Sequence, residues 1–257
     1  MGYDPDDAQT AASVGHVPDS YTDFLKLSGL HGARIGVLNQ LFKTAPADEQ
    51  VNAVVSAAVQ EMKKADAEVV DVEIPGLRDL LTDRDSSPGW IIIRQEFKSD
   101  FNAYLDAHPT APVRSLAEVV ASKKYHPFLQ NVLNGAEAVE SRDTKDYLEH
   151  VVKIGTVREA VLKAMADNRV DALVYPTLTS KPSMIGQAGQ TGVNCKLSPS
   201  SGLPAIVVPG GFTPDGIPVG VEFMGRPWSE PQLISFAYSY EQSTRHRRPP
   251  ASTPPLQ

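Results

Sequence analysis

Apolar side chains along this chain fall into short runs and spaced stripes, and their periods name the elements. Arg34-Ile35-Gly36-Val37-Leu38 is a nearly continuous apolar run of strand length, read as a short buried strand. From Val51 the apolar positions recur at Val54, Val55, Ala58, Val59 and Met62, which lays one stripe along a helix. The stretch 44–48 supplies turn and acidic start signals, and Lys63 and Lys64 sit at the end, where the helix dipole favours cations. Glu68-Val69-Val70-Asp71-Val72-Glu73-Ile74 is β-branched and partly alternating, a second strand that Pro75-Gly76 ends. Strand, helix, strand in this order predicts a parallel pair with a crossover helix.

Residues 89–107 read as helix, and 115–168 as mostly helix with breaks at Pro127 and near Gly135; Val157, Val161, Ala164 and Met165 mark one face. Asp171-Ala172-Leu173-Val174-Tyr175 reads as a strand that stops at Pro176. Residues 177–203, rich in Ser, Thr, Gly and Pro, show no period and read as one long loop, a feature usually functional or disordered in a compact domain. The apolar runs 205–208 and 219–223 flank a turn-rich link and predict an antiparallel pair. Ser229, with Gln232 three residues on, predicts a capping box for a last helix that shows Leu233, Phe236, Ala237 and Tyr240 on one face. Residues 1–23 read as an extended acidic surface segment and 250–257 as a loose tail after Pro249-Pro250. The fold class expected is α/β, a mixed sheet flanked by helices.

Composition narrows the chemistry. A net charge of −7 argues against nucleic-acid and acidic-membrane partners. The one dense basic cluster, Arg245, His246, Arg247 and Arg248, falls at a predicted helix end and suits the dipole there. No apolar run approaches the roughly 20 residues of a membrane helix, and the polar N-terminus does not read as a signal peptide; the compartment stays open, with the cytoplasm favoured. Cys195 stands alone, which excludes an internal disulfide, and no histidine lies near it in sequence to act as a base. The six histidines are scattered, so no metal site is expected. Phosphate-loop, HExxH, CxxC and GxSxG patterns are absent. The densest polar group is Asn194, Lys196, Ser198, Ser200 and Ser201, with Ser180 and Lys181 nearby. A lysine held neutral by burial can activate a serine, but a loop of this composition is more often simply solvated. Glu96 and Asp100 share a helix face and read as exposed surface rather than as a catalytic dyad.

Ordered motifs add what the patterns leave open. Gly29-Leu30-His31-Gly32-Ala33-Arg34-Ile35-Gly36-Val37, Glu96-Phe97-Lys98-Ser99-Asp100-Phe101-Asn102-Ala103-Tyr104-Leu105 and Asp171-Ala172-Leu173-Val174-Tyr175-Pro176-Thr177 are followed by the stretches 202–212 and 215–227. Together they resemble the C-terminal half of the amidase-signature family, in its peptide-amidase-like branch; Phe101 stands where that branch has leucine. The resemblance implies that 1–257 is the C-terminal part of a single amidase domain, and that Met1 is a methionine interior to a longer chain. It implies hydrolysis of amide, and in some members ester, bonds by a Ser–cis-Ser–Lys triad located upstream, so no catalytic residue is assigned here. Ser200-Ser201-Gly202 looks similar to that signature but falls in a downstream stretch. Thr177, Asn194 and Ser198 are the expected substrate-pocket wall, against the plainer reading as loop turns and helix caps. No cofactor or metal is implied. The expected partner is a small amide or ester substrate once an N-terminal half completes the fold, and unpaired sheet edges would invite self-association. Three readings follow: a piece inactive alone, a non-catalytic subunit pairing with a separate N-terminal half, or a stand-alone hydrolase that uses Ser198 or Ser201 with Lys196 or Lys181.

Overall fold

The apolar run at Arg34–Leu38 forms strand β1, and the stripe after it forms helix α1, Glu49–Lys64, in a computed structural model that describes residues 2–42, 47–82, 88–187 and 189–250. Asp48 caps α1, its carboxylate accepting from the Gln50 N–H at 2.8 Å, while residues 44–46 of the expected turn lie outside the described residues. Val51, Val55, Ala58, Val59 and Met62 bury the helix's apolar stripe. Strand β2, Glu68–Val72, then runs parallel to β1 in the register Arg34↔Glu68 to Leu38↔Val72. It ends two residues sooner than its sequence suggests. The Gln40 side chain takes over the backbone of Ile74, accepting from its N–H at 2.8 Å and donating to its carbonyl at 3.0 Å, so no sheet partner is needed there.

The chain divides into two compact units, residues 1–75 with 160–257, and residues 76–159. In the second unit, α2 (Leu77–Leu81) precedes α3 (Pro88–Ala107), α4 (Leu116–Ser122) and α5 (Gln130–Glu137). Gly135 sits inside α5, so the helix breaks only after Glu137. Glu96 accepts from the Tyr147 hydroxyl at 2.6 Å and Asp100 pairs with Arg142 at 3.2 Å, which gives both α3 carboxylates structural partners. Helix α6, Lys145–Asp167, starts in this unit and finishes in the first.

The first unit continues with β3, Ala172–Pro176, parallel to β1. The long loop that follows contains a one-turn helix, α7 (Leu197–Ser201), closed by left-handed Gly202. Five residues around a proline are too few to show a helical period, which is why the sequence pattern misses it. Strands β4, Ala205–Phe212, and β5, Pro218–Met224, form the expected antiparallel pair, and β5 also pairs antiparallel with β3. The sheet order is β2-β1-β3-β5-β4, a mixed five-stranded sheet. Helix α8, Glu230–Thr244, packs Leu233, Phe236, Ala237 and Tyr240 into the same core as α1 and the sheet residues Ile35, Val37, Val174, Val208, Val221 and Phe223.

The expected capping box of α8 does not form. Ser229 sits at the cap position, but its hydroxyl donates backward to the Arg226 carbonyl at 2.7 Å, because the chain enters the helix through a turn with Trp228 in the left-handed region. The basic cluster also lies past the helix's last turn. Arg245 closes α8 as a left-handed cap, His246 reaches back to Glu61 of α1 at 2.9 Å, and Arg248 lies 3.9 Å from the centre of the Phe212 ring. The opening segment winds through two short 3-10 turns on the surface, and residues 251–257 of the expected tail lie outside the described residues. None of the described helices is long and apolar enough to cross a membrane.

Candidate functional site

The sheet has two faces. Val174 and Phe223 point into the core beneath α1 and α8, so by alternation their neighbours Tyr175 and Glu222 lie on the opposite face. Tyr175, Glu222 and Val207 occupy one rung across β3, β5 and β4. Glu222 is only 2% exposed and Tyr175 is fully buried; the Tyr175 hydroxyl donates to Glu222 Oε1 at 2.8 Å. Glu222 Oε2 has no hydrogen-bond partner among the described residues. Burial pushes this carboxyl above its usual range, while Tyr175 and then Thr177 pull it back. The same burial, reinforced by the carboxylate, drives the Tyr175 phenol well up.

Thr177 follows directly after β3. Its hydroxyl is close enough to favour the charged form of Glu222, yet Oγ1 is buried without a hydrogen bond among the described residues. A side chain at Gly220 would crowd this spot, since a Cβ there would come within 2.9 Å of Val207 Cγ1 and 3.3 Å of Thr177 Oγ1. Beyond Thr177 the face opens: Val207 is 50% exposed, and Ala205 is exposed beside it on the same side of β4.

The loop is held against this face by Asn194. Its amide is 2% exposed and donates to the carbonyls of Leu41 and Pro176, both at 2.8 Å, and its own N–H donates to the Thr177 carbonyl at 3.0 Å. The structure therefore brings Thr177 and Asn194 together, with the Thr177 side chain on the Glu222 face and the Asn194 amide clamping the loop. Ser198 lies further on, in α7, where its hydroxyl donates to the Leu203 carbonyl at 2.7 Å. Ser201 likewise donates to the Leu197 carbonyl at 2.8 Å. Lys181 reaches carboxylates instead of a serine, Asp215 at 3.0 Å and Asp48 at 3.8 Å. The Asp215 carboxyl is held below its usual range first by the Thr213 hydroxyl and then by Lys181. Cys195 sits beside the cluster and is an exposed residue, but partial desolvation of its thiol, followed by the charge of Glu222, raises its pKa, the reverse of what a nucleophilic thiolate needs.

Sequence reasoning does not single out Tyr175 or Glu222 as site residues. A signal is present: Glu222 is a carboxylate inside the apolar run Val219 to Met224. Its partner lies 47 positions away, and only the sheet joins them.

Comparisons with known proteins agree with this architecture. The family model described as Amidase matches residues 1–234. A probable amidase of Arabidopsis thaliana is 30% identical, with 97% of this chain and 46% of that protein covered. One of the glutamyl-tRNA(Gln) amidotransferase subunits of a Synechococcus species is 29% identical, covering 98% and 50%. Among solved structures, the native peptide amidase of Stenotrophomonas maltophilia superposes with a TM-score of 0.78 at 32% identity, over 95% of this chain and 50% of its own. The chain spans about half the length of the curated relatives it matches. With a mixed five-stranded sheet flanked by helices and a family match over most of its length, this chain belongs to the amidase family.

Proposed function

We propose that this chain is the C-terminal portion of a hydrolase of amide C–N bonds, active on esters in the same way, and that it supplies sheet and substrate wall while the other half supplies the nucleophile. The observation that carries this reading is the Glu222 face: it holds buried, partly unpartnered polar groups beside an open apolar margin, while Ser198 and Ser201 donate to backbone carbonyls and the Ser200 hydroxyl, unbonded among the described residues, is buried. A hydroxyl donating to a carbonyl is not donating to a base, and activation of a serine requires the second arrangement. In this reading Thr177 faces the substrate, Asn194 holds Thr177 in place, and Ser198 braces the short helix behind the loop. Acyl transfer then needs an activated nucleophile and oxyanion donors from the complementary half.

The relative named as one subunit of an amidotransferase supports a second reading, a chain that works within an assembly rather than alone. Both readings are tested by treating the pure chain with an acylating active-site probe and by assaying an aryl amide. No covalent label and no turnover are expected from the chain alone, and turnover is expected once it is joined to an N-terminal half that carries the signature. Labelling of Ser198 or Ser201 would favour the stand-alone hydrolase and end the proposal.

A further inference from the structure

The turn that joins β5 to α8 holds a bulky side chain where glycine would sit without strain. Trp228 has a φ of 62°, in the left-handed region that a large side chain rarely occupies. Its neighbours fix the turn. The Gly225 N–H donates to the Pro204 carbonyl at 3.0 Å, and the Ser229 N–H and hydroxyl both donate to the Arg226 carbonyl, at 3.2 and 2.7 Å. The Trp228 ring does not fill the core. It is 40% exposed, and it stacks on His16 with ring centres 4.5 Å apart and planes 6° apart. The same ring lines a groove of about 610 Å³ between the start of α8 and the segment 24–29.

Phe24 and Phe236 add aromatic surface to this groove, and two cations line it, Lys26 and Arg226. None of the lining residues is acidic, and neither cation has an ion pair among the described residues. Lys26 Nζ stands 6.0 Å from the centre of the Phe24 ring. Arg226 is half-buried and anchored, its Nη1 donating to the Val170 carbonyl at 2.8 Å. That bond leaves Nε and Nη2 without a hydrogen bond among the described residues, and this edge of a guanidinium matches the two oxygens of a carboxylate. Val170 precedes β3 and Thr177 follows it, so Arg226 is anchored at the opposite end of the strand from Thr177.

We infer that this groove is a binding site for a small aromatic carboxylate, with the ring against Trp228 and the carboxylate on Lys26 and Arg226. Aromatic pairs favour offset stacking, and a groove of this volume accommodates a molecule of that class. Binding there requires no turnover, so the site is separable from the hydrolase reading.

Calorimetry on the pure chain with naphthalene-2-carboxylate tests the site. Saturable one-to-one binding with a Kd of about 1 mM or tighter is expected. Naphthalene-2-methanol, which lacks the charge, and acetate, which lacks the ring, should each bind at least roughly tenfold more weakly. In a Trp90→Phe background Trp228 is the one tryptophan of the chain, and the carboxylate should quench its emission with the same Kd. Trp228→Gly suits the left-handed backbone and Lys26→Glu alters an exposed side chain, so both should stay folded by circular dichroism and urea unfolding. Each should weaken binding at least roughly fivefold, while Lys64→Glu, exposed on α1 outside the groove, leaves it unchanged. Were Trp228→Gly to unfold, the quenching of Trp228 decides the ring contact in its place. No saturable binding, equal binding of the alcohol or of acetate, or unchanged affinity in either folded variant would each overturn the inference.

Discussion

Glu222 shows how one residue sets a pH dependence. Its carboxyl is buried with one oxygen bonded to Tyr175 and the other unpartnered among the described residues, and burial raises its folded pKa above the ordinary value. The folded state then holds a proton that the unfolded chain releases first. The resulting stabilisation is fully present below the unfolded pKa and is lost as pH rises through the folded one. Glu222→Gln keeps an acceptor for Tyr175 and removes the charge. It should stabilise the chain by on the order of 1 kcal/mol at neutral pH, with the gain shrinking in acid, as read from urea unfolding at several pH values. Asn194→Ala acts in the opposite direction. It strips the carbonyls of Leu41 and Pro176 of buried donors and should cost about 2–3 kcal/mol in the same measurement.

At the scale of elements, local pattern and tertiary contact divide the work unevenly. The period of α1 is legible because the helix buries a regular stripe, and burial imposes that period on the residues, while β2 is legible from its β-branched residue types, only Val72 of the strand being buried. The short helix α7, the early end of β2 and the failed capping box of α8 are not legible. Each depends on a partner far along the chain or on a turn too short to leave a period: Gln40 for Ile74, and the Arg226 turn for Ser229. Gly36 belongs to this scale too. A Cβ there would come within 2.7 Å of Val72 Cγ2 and 3.0 Å of Leu173 Cδ2, so neighbouring strands leave no room for it. Gly36→Ala should destabilise by about 1–3 kcal/mol through overpacking, measurable as a lower thermal midpoint. Hydrogen exchange offers a check on β4. The amides of Ala205 and Val207 should exchange freely while those of Ile206 and Val208 are protected.

For the whole molecule, the proposed function assigns the wall and the reacting groups to different parts of a larger fold. Thr177→Val, introduced once the chain is joined to an N-terminal half, should raise KM several-fold with a smaller change in kcat, because the proposed role of Thr177 is in a binding wall and not in the acylating group. Thr177 and Asn194 can be named from their motif and loop, but the motif does not say that one faces Glu222 while the other clamps the loop backbone. The fold class, the crossover unit, the β4–β5 pair and the apolar faces of α1 and α8 were determined by the sequence alone. They follow from periods of two and near four, which any local stretch must carry if one side of it is to be buried. The Tyr175–Glu222 pair and the open margin at Val207 were decided only by tertiary structure. Their partners lie tens of residues apart, and strand order across a sheet leaves no trace in the spacing of residues along one strand.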